Sequence, residues 1–196
     1  RRFVFERLNT GGKRLTAQEM RNAIYGSEFN KLIVQLSRDD VFTRIWGIPP
    51  YVGADPNEYY EDEARQANSL YKTMGDCQLI LRYFALDDKD QIQGSLRSML
   101  DRCMERNLDT SPEVCQELGR NYLEVLHLAD QLFDGRPFSL QLTENEYRPL
   151  AGIYDGVMVA LSELTDTRDR LLAAKTNIQT RYSQVVETHG QRGGLT

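Results

Sequence analysis

The sequence predicts an all-α protein, an irregular bundle of seven to eight helices. Three observations carry that expectation. Apolar residues recur at spacings of three and four, most cleanly at Val114, Leu118, Tyr122, Val125, Ala129 and Leu132, the interval that stacks side chains on one helix face. Helix starts are written plainly. Thr16 has Glu19 three residues on, a capping-box spacing, and Ser111 precedes Pro112, which suits the first position of a helix. Strand-like alternation is almost absent, and Pro137–Leu142 is the one stretch that suits an extended segment. No repeat of solenoid length is visible.

The elements follow in order. Ala17 to Tyr25 reads as a helix stopped near Gly26. Ser27 caps the next, with Phe29, Leu32, Ile33 and Leu36 as its buried stripe. Val41, Phe42, Ile45 and Trp46 make a short helical turn, halted by Gly47 and Pro49-Pro50. Trp46 reads as a core or hinge residue before a base-stacking one. Residues 47 to 57 are the longest break and suit a loop. Glu58, Glu61, Asp62 and Glu63 then open a helix, where acids favour the positive end of the dipole. Their spacing is not that of a calcium loop, so a helix start fits better than a metal site. Cys77, Ile80, Leu81 and Phe84 mark a further helix, with Arg82 on a neighbouring face. Leu96, Met99, Leu100 and Cys103 mark another. The long helix from Pro112 should reach Phe133 and end at Gly135, with His127 off its stripe and at the rim. Two last helices hold Leu150, Ile153, Tyr154, Val157, Leu161 and Leu164, then Leu171, Leu172, Ile178, Tyr182 and Val185 over about 168–187.

Composition narrows the class. The chain has 196 residues, of which 40% are apolar and 27% charged, as in a globular protein with a real core. A net charge of -5 argues against broad nucleic-acid binding but leaves room for a basic patch near Lys13, Arg14 and Arg21. Cys77, Cys103 and Cys115 are odd in number and form no CxxC pair. Buried thiols in a reducing, cytoplasmic setting fit them better than a metal site, since only His127 and His189 could assist. No apolar run approaches the 18 or so residues of a membrane span.

One stretch looks chosen for more than packing: Phe3-Val-Phe-Glu-Arg-Leu-Asn-Thr-Gly-Gly-Lys-Arg-Leu-Thr-Ala-Gln-Glu-Met-Arg-Asn22. A helical turn runs into Asn9 and then Gly11-Gly12, where positive φ is allowed. Backbone N–H groups at the glycines and at the next helix start suit an anion, beside Arg7, Lys13, Arg14 and Arg21. The same two glycines also suit a simple C-cap and turn, with the arginines as surface charges.

Phe5, Arg7, Leu8, Asn9, Gly11, Gly12, Leu15, Gln18, Glu19, Met20, Arg21 and Asn22 together resemble the motif of the GmrSD-type restriction endonuclease N-terminal domain family. Gly75-Asp-Cys-Gln-Leu-Ile-Leu-Arg-Tyr-Phe-Ala-Leu86 is similar to a later helix of that family. The resemblance implies a ParB/sulfiredoxin-like nucleotide-binding core and a role in defence against foreign or modified DNA. It implies a nucleoside triphosphate, with Mg2+ in the full-length protein. DNA and a partner subunit or fused nuclease domain are the implied partners. Arg7, Asn9, Gly11 and Gly12 would bind the nucleotide, while Gln18, Arg21 and Asn22 would lock the loop to the next helix.

The family's Asp-Gly-Gln-Gln-Arg signature does not occur in this chain. The chain is therefore expected to be the C-terminal, helical part of a larger α+β protein. On that reading residues 1–26 complete an upstream ParB-like core, 27–189 form the helical bundle, and 190–196 are a flexible tail. No Ser-His-Asp, Cys-His, HExxH or Walker set is present, so no catalytic residue is assigned and the segment alone is expected to be inactive. The competing reading is a non-catalytic helical interaction scaffold, with the glycine turn as structural glue.

Overall fold

The computed structural model describes residues 15–50, 62–143 and 146–190. Among them the fold is all-α, with eleven α-helices, two short 3-10 turns and one two-stranded antiparallel ribbon. The chain divides into two compact units, 1–119 and 120–196. The sequence reading treats 27–189 as one bundle; the division instead falls inside the longest helix.

The first unit holds α1 (Ala17–Ile24), α2 (Glu28–Leu36), α3 (Asp40–Ile45), α4 (Glu63–Ala67), α5 (Ser69–Lys72), α6 (Gly75–Asp87) and α7 (Leu96–Arg106), and the start of α8 (Pro112–Leu132). Local chemistry explains most of the boundaries. The Thr16 hydroxyl accepts from the Glu19 N–H and the Glu19 carboxylate accepts from the Thr16 N–H, a complete capping box. Ser27, Asp39, Asp62, Asn68 and Ser95 each accept from the first turn of the helix they precede. Gly47, at φ +63, ends α3 where a side chain would be strained.

Helix α6 is the centre of this unit. It packs against α1, α2, α5 and α7. Asp76, Cys77, Leu79, Ile80, Leu81, Tyr83 and Ala85 are all buried, so nearly every face of its first three turns is covered. The predicted stripe missed Leu79, Tyr83 and Ala85, because a helix surrounded on all sides carries no single apolar face. In α2 the predicted stripe of Phe29, Leu32, Ile33 and Leu36 is buried as expected, and Phe29 meets the Phe84 ring edge-on at 5.3 Å.

The second unit holds the rest of α8, the ribbon β1 (Ser139–Gln141) and β2 (Tyr147–Pro149), and α9 (Ala151–Ser162), α10 (Arg168–Ala173) and α11 (Lys175–Gly190). Ser139, Leu140 and Gln141 pair with Pro149, Arg148 and Tyr147. The extended segment expected near 137–142 is therefore real, and its partner strand was not foreseen. Tyr122, Val125, Ala129 and Leu132 are buried on α8, but Val114 is 47% exposed. Cys115 and Gly119 turn inward in its place, and a Cβ on Gly119 would come within 2.8 Å of Leu32.

Further down the chain, Met158 is buried on α9 while Val157 is only half-buried and Leu164 is exposed. The single helix expected over about 168–187 breaks at Ala174. Its expected inward face is only half-buried, and Val185 is 57% exposed. Breaks of this kind, here and at Asn68 between α4 and α5, raise the helix count above the seven or eight expected.

Replacing Phe29 by alanine deletes a fully buried ring. It should cost about 3–5 kcal/mol, read as a lower denaturant midpoint for the first unit.

Candidate functional site

The nucleotide-binding set read from the sequence, Arg7, Asn9, Gly11 and Gly12, lies outside the described residues. The end of the same motif lies within them, on α1. Gln18 and Arg21 are buried there. The Arg21 guanidinium donates through Nε to Asp101 Oδ1 at 2.8 Å, through Nη1 to Gln18 Oε1 at 3.2 Å, and through Nη2 to the Arg97 carbonyl at 3.3 Å. The side chains of Arg21 and Asp101 are only 3% and 15% exposed. Arg21 therefore ties α1 to α7 through three of its five N–H donors. Gln18 turns its Nε2 to Asn22 Oδ1 at 2.9 Å, so the three residues form one network.

That network leads to the start of α6. Asn22 Nδ2 donates to the Met74 sulfur at 3.4 Å, and the Thr16 hydroxyl donates to the Thr73 carbonyl at 3.0 Å. The end of the glycine motif thus docks on Thr73–Met74, the two residues just before Gly75–Leu86 and more than fifty residues away in the chain. The turn into α6 is tight. Met74 adopts the left-handed region at φ 54, and a Cβ on Gly75 would lie 2.8 Å from Leu70 Cδ1 and 3.3 Å from the Leu70 carbonyl oxygen. A side chain there would have to push the tip of Leu70 aside and shift the Leu70 carbonyl by a few tenths of an ångström.

Just past that turn lies the residue that sequence reasoning passed over. Asp76 is 3% exposed, and its Oδ1 has no hydrogen-bond partner among the described residues. Burial pushes its carboxyl up to about 6, against the opposing pull of the Cys77 N–H, the Ser37 hydroxyl and its own N–H. Ser37 has one proton, and its Oγ donates to the Val34 carbonyl at 3.0 Å, so its help to Asp76 is shared. Cys77 donates to Ser37 Oγ at 3.7 Å. Burial, and secondly the charge of Asp76, pushes the Cys77 thiol up to about 12, so it stays protonated and is no nucleophile. The one available signal in the sequence was an acid inside an otherwise apolar helix start.

Asp76 and Cys77 line a cavity of about 210 Å3 together with Val34, Ser37, Arg38, Gln66, Tyr71, Lys72 and Met74. The Tyr71 ring is held by the buried Arg65 guanidinium, 4.9 Å above its centre. A larger concavity of about 690 Å3 opens in the second unit beside Tyr147 and Tyr182. Its charges are already engaged: Asp134 takes Lys175 at 2.6 Å and Gln179 at 2.8 Å, and Arg136 lies 4.1 Å over the Tyr147 ring. Unsatisfied chemistry therefore points to the smaller cavity.

Other candidates resolve simply. Cys77, Cys103 and Cys115 are free and buried. Arg82 is half-buried on α6 and His127 half-buried on α8. Among the described residues no three His, Cys, Asp or Glu side chains come together as metal ligands. None of the described helices is long and apolar enough to cross a membrane. No family model, curated protein or solved structure matches the chain.

Two outcomes follow from this geometry. Arg21→Ala strands Asp101 in a covered site and should cost about 3–5 kcal/mol by chemical denaturation, with Arg21→Met costing less. Asp76 acts in the opposite sense. Its folded pKa of about 6 lies above the ordinary aspartate value of 3.8, so the folded state holds the proton more tightly. The contribution of Asp76 is fully present below about pH 4, declines as pH rises through about 6, and is lower by on the order of 2–3 kcal/mol above that. Asp76→Asn should remove this decline and raise the melting temperature at pH 7, measured across a pH series.

Proposed function

We propose that this chain is the helical half of a nucleotide-dependent protein that acts against foreign or modified DNA. In this reading Arg7 and Asn9 hold the nucleotide, and Gly11 and Gly12 donate backbone N–H groups to its phosphates. Helix α1 anchors that loop. The observation that carries the reading is the docking of Thr16–Asn22, the end of the glycine motif, onto Thr73–Met74 at the head of α6. A loop that must grip a mobile anion works best when its exit is clamped to a rigid core. Gln18, Arg21 and Asn22 serve as that clamp and leave ligand contact to the residues before them.

The described residues offer no ligand set for the Mg2+ that the resemblance implies. Its ligands, like the groups that would cleave nucleotide or DNA, would come from elsewhere in the full-length protein. DNA, and a partner subunit or fused nuclease domain, belong to the same proposal. A second reading, a non-catalytic scaffold, is favoured by one observation: the apolar residues of α10 and α11 are nowhere fully buried. Such a half-covered face suits a partner.

A single experiment separates the two. In the full-length protein, Arg7→Ala with Asn9→Ala should weaken nucleoside triphosphate binding by at least about tenfold, or 1.4 kcal/mol, with circular dichroism unchanged. A folded double variant that binds nucleotide as well as the parent leaves the scaffold reading standing.

A further inference from the structure

Asp76 marks the smaller cavity by a group that is buried. The larger concavity, in the second unit, is marked by groups held open. Part of its wall is fixed in place. The Phe133 and Tyr182 rings meet at 4.7 Å, and the Tyr182 hydroxyl donates to the Pro137 carbonyl at 3.3 Å. Leu140, Leu142 and Val186 add aliphatic surface. The lining runs along residues 139–143, β1 and two residues beyond, and along 179–186 of α11. The rise of a strand and of a helix makes these stretches roughly 10–13 Å long. A volume of about 690 Å3 falls within the roughly 300–1,000 Å3 of small-molecule sites.

Electrostatics narrow the occupant. Asp134 is held by Lys175 at 2.6 Å and by Gln179 at 2.8 Å, so its charge is matched. Arg136 has no acid beside it among the described residues, which leaves one positive charge over. The Tyr147 ring, 4.1 Å away, engages only the flat face of the guanidinium. A stacked guanidinium keeps its N–H donors at its edge, where a pair of them matches the two oxygens of a carboxylate. Stacking also sets the fork before a ligand arrives, which lowers the cost of ordering it. The Ser139 and Ser183 hydroxyls line the same space without a side-chain hydrogen bond among the described residues, and can donate to the same oxygens. A dianionic phosphate would be matched only by half, because Lys175 is already taken. A cationic ligand would meet Arg136. The lining calls for a single carboxylate on an apolar body.

We propose that this concavity binds a small monocarboxylate with a flat apolar body. Arg136 takes the carboxylate through the edge of its fork, and Phe133, Leu140, Tyr182 and Val186 cover the body. The site lies wholly in the second unit and does not depend on the nucleotide reading.

The test is an NMR titration of the full chain with 2-naphthoate, with its neutral isostere 2-naphthamide, and with acetate, which lacks the body. The naphthoate should bind at least about tenfold more tightly than either of the others. Its amide shifts should gather on 139–143 and 179–186. Arg136→Gln keeps a planar polar end without the charge, and should bring naphthoate down to the affinity of naphthamide while leaving naphthamide unchanged. Ser183→Trp, at an exposed position of α11, should fill the space and weaken both naphthyl ligands. Circular dichroism and thermal melting confirm that the variants fold. Equal affinity for acid and amide, no naphthoate binding, shifts centred elsewhere, or a folded Arg136→Gln protein that keeps the preference would each overturn the proposal. Should a variant fail to fold, the acid–amide comparison and the shift map on the parent chain still decide.

Discussion

Burial of α6 on nearly every side is the constraint on which the first unit depends. A helix in that position has only a narrow, half-covered line, at Gln78 and Arg82, on which to place polar side chains. Its apolar residues meet α1, α2, α5 and α7, and its entrance must be squeezed through Met74 and Gly75 because α5 lies so close. Under that constraint a carboxylate at Asp76 is an exception with a cost. Position near the positive end of a helix favours its charge, yet desolvation prevails and pushes its pKa up. Groups kept against their own stability are those worth examining for function.

A second buried charge makes an instructive contrast. Arg21 is as deeply covered as Asp76, but it has a carboxylate, an amide oxygen and a backbone carbonyl around its fork. Its charge is matched, and its role is to hold α1 against α7. The same degree of burial thus has opposite meanings, decided by whether partners are present. The sequence reading has Arg21 and Gln18 lock the loop to the next helix, and in the structure they brace α1, Arg21 against α7.

The two units differ in how completely they close. In the first, buried aromatic and aliphatic side chains surround a central helix. In the second, Tyr122 and Tyr154 are buried with their hydroxyls 3.2 Å apart, and Phe138 meets the Tyr154 ring edge-on at 4.9 Å. That core is sound, but α10 contributes no buried side chain.

The sequence by itself determined the helical class, most helix starts and the α2 stripe. Those features rest on local chemistry: caps within three residues, proline at a first turn, and apolar spacing along one element. It also carried the resemblance, though the residues at its heart, Arg7 to Gly12, lie outside those described. Tertiary structure alone decided the rest. It turned Val114 outward and Cys115 inward, broke the last predicted helix at Ala174, and paired β1 with a strand no pattern announced. Above all it set Asn22 against Met74 and left Asp76 lining a cavity with no partner for one oxygen among the described residues. Such facts depend on which distant groups come near and how much water they displace, and no spacing along a chain records either.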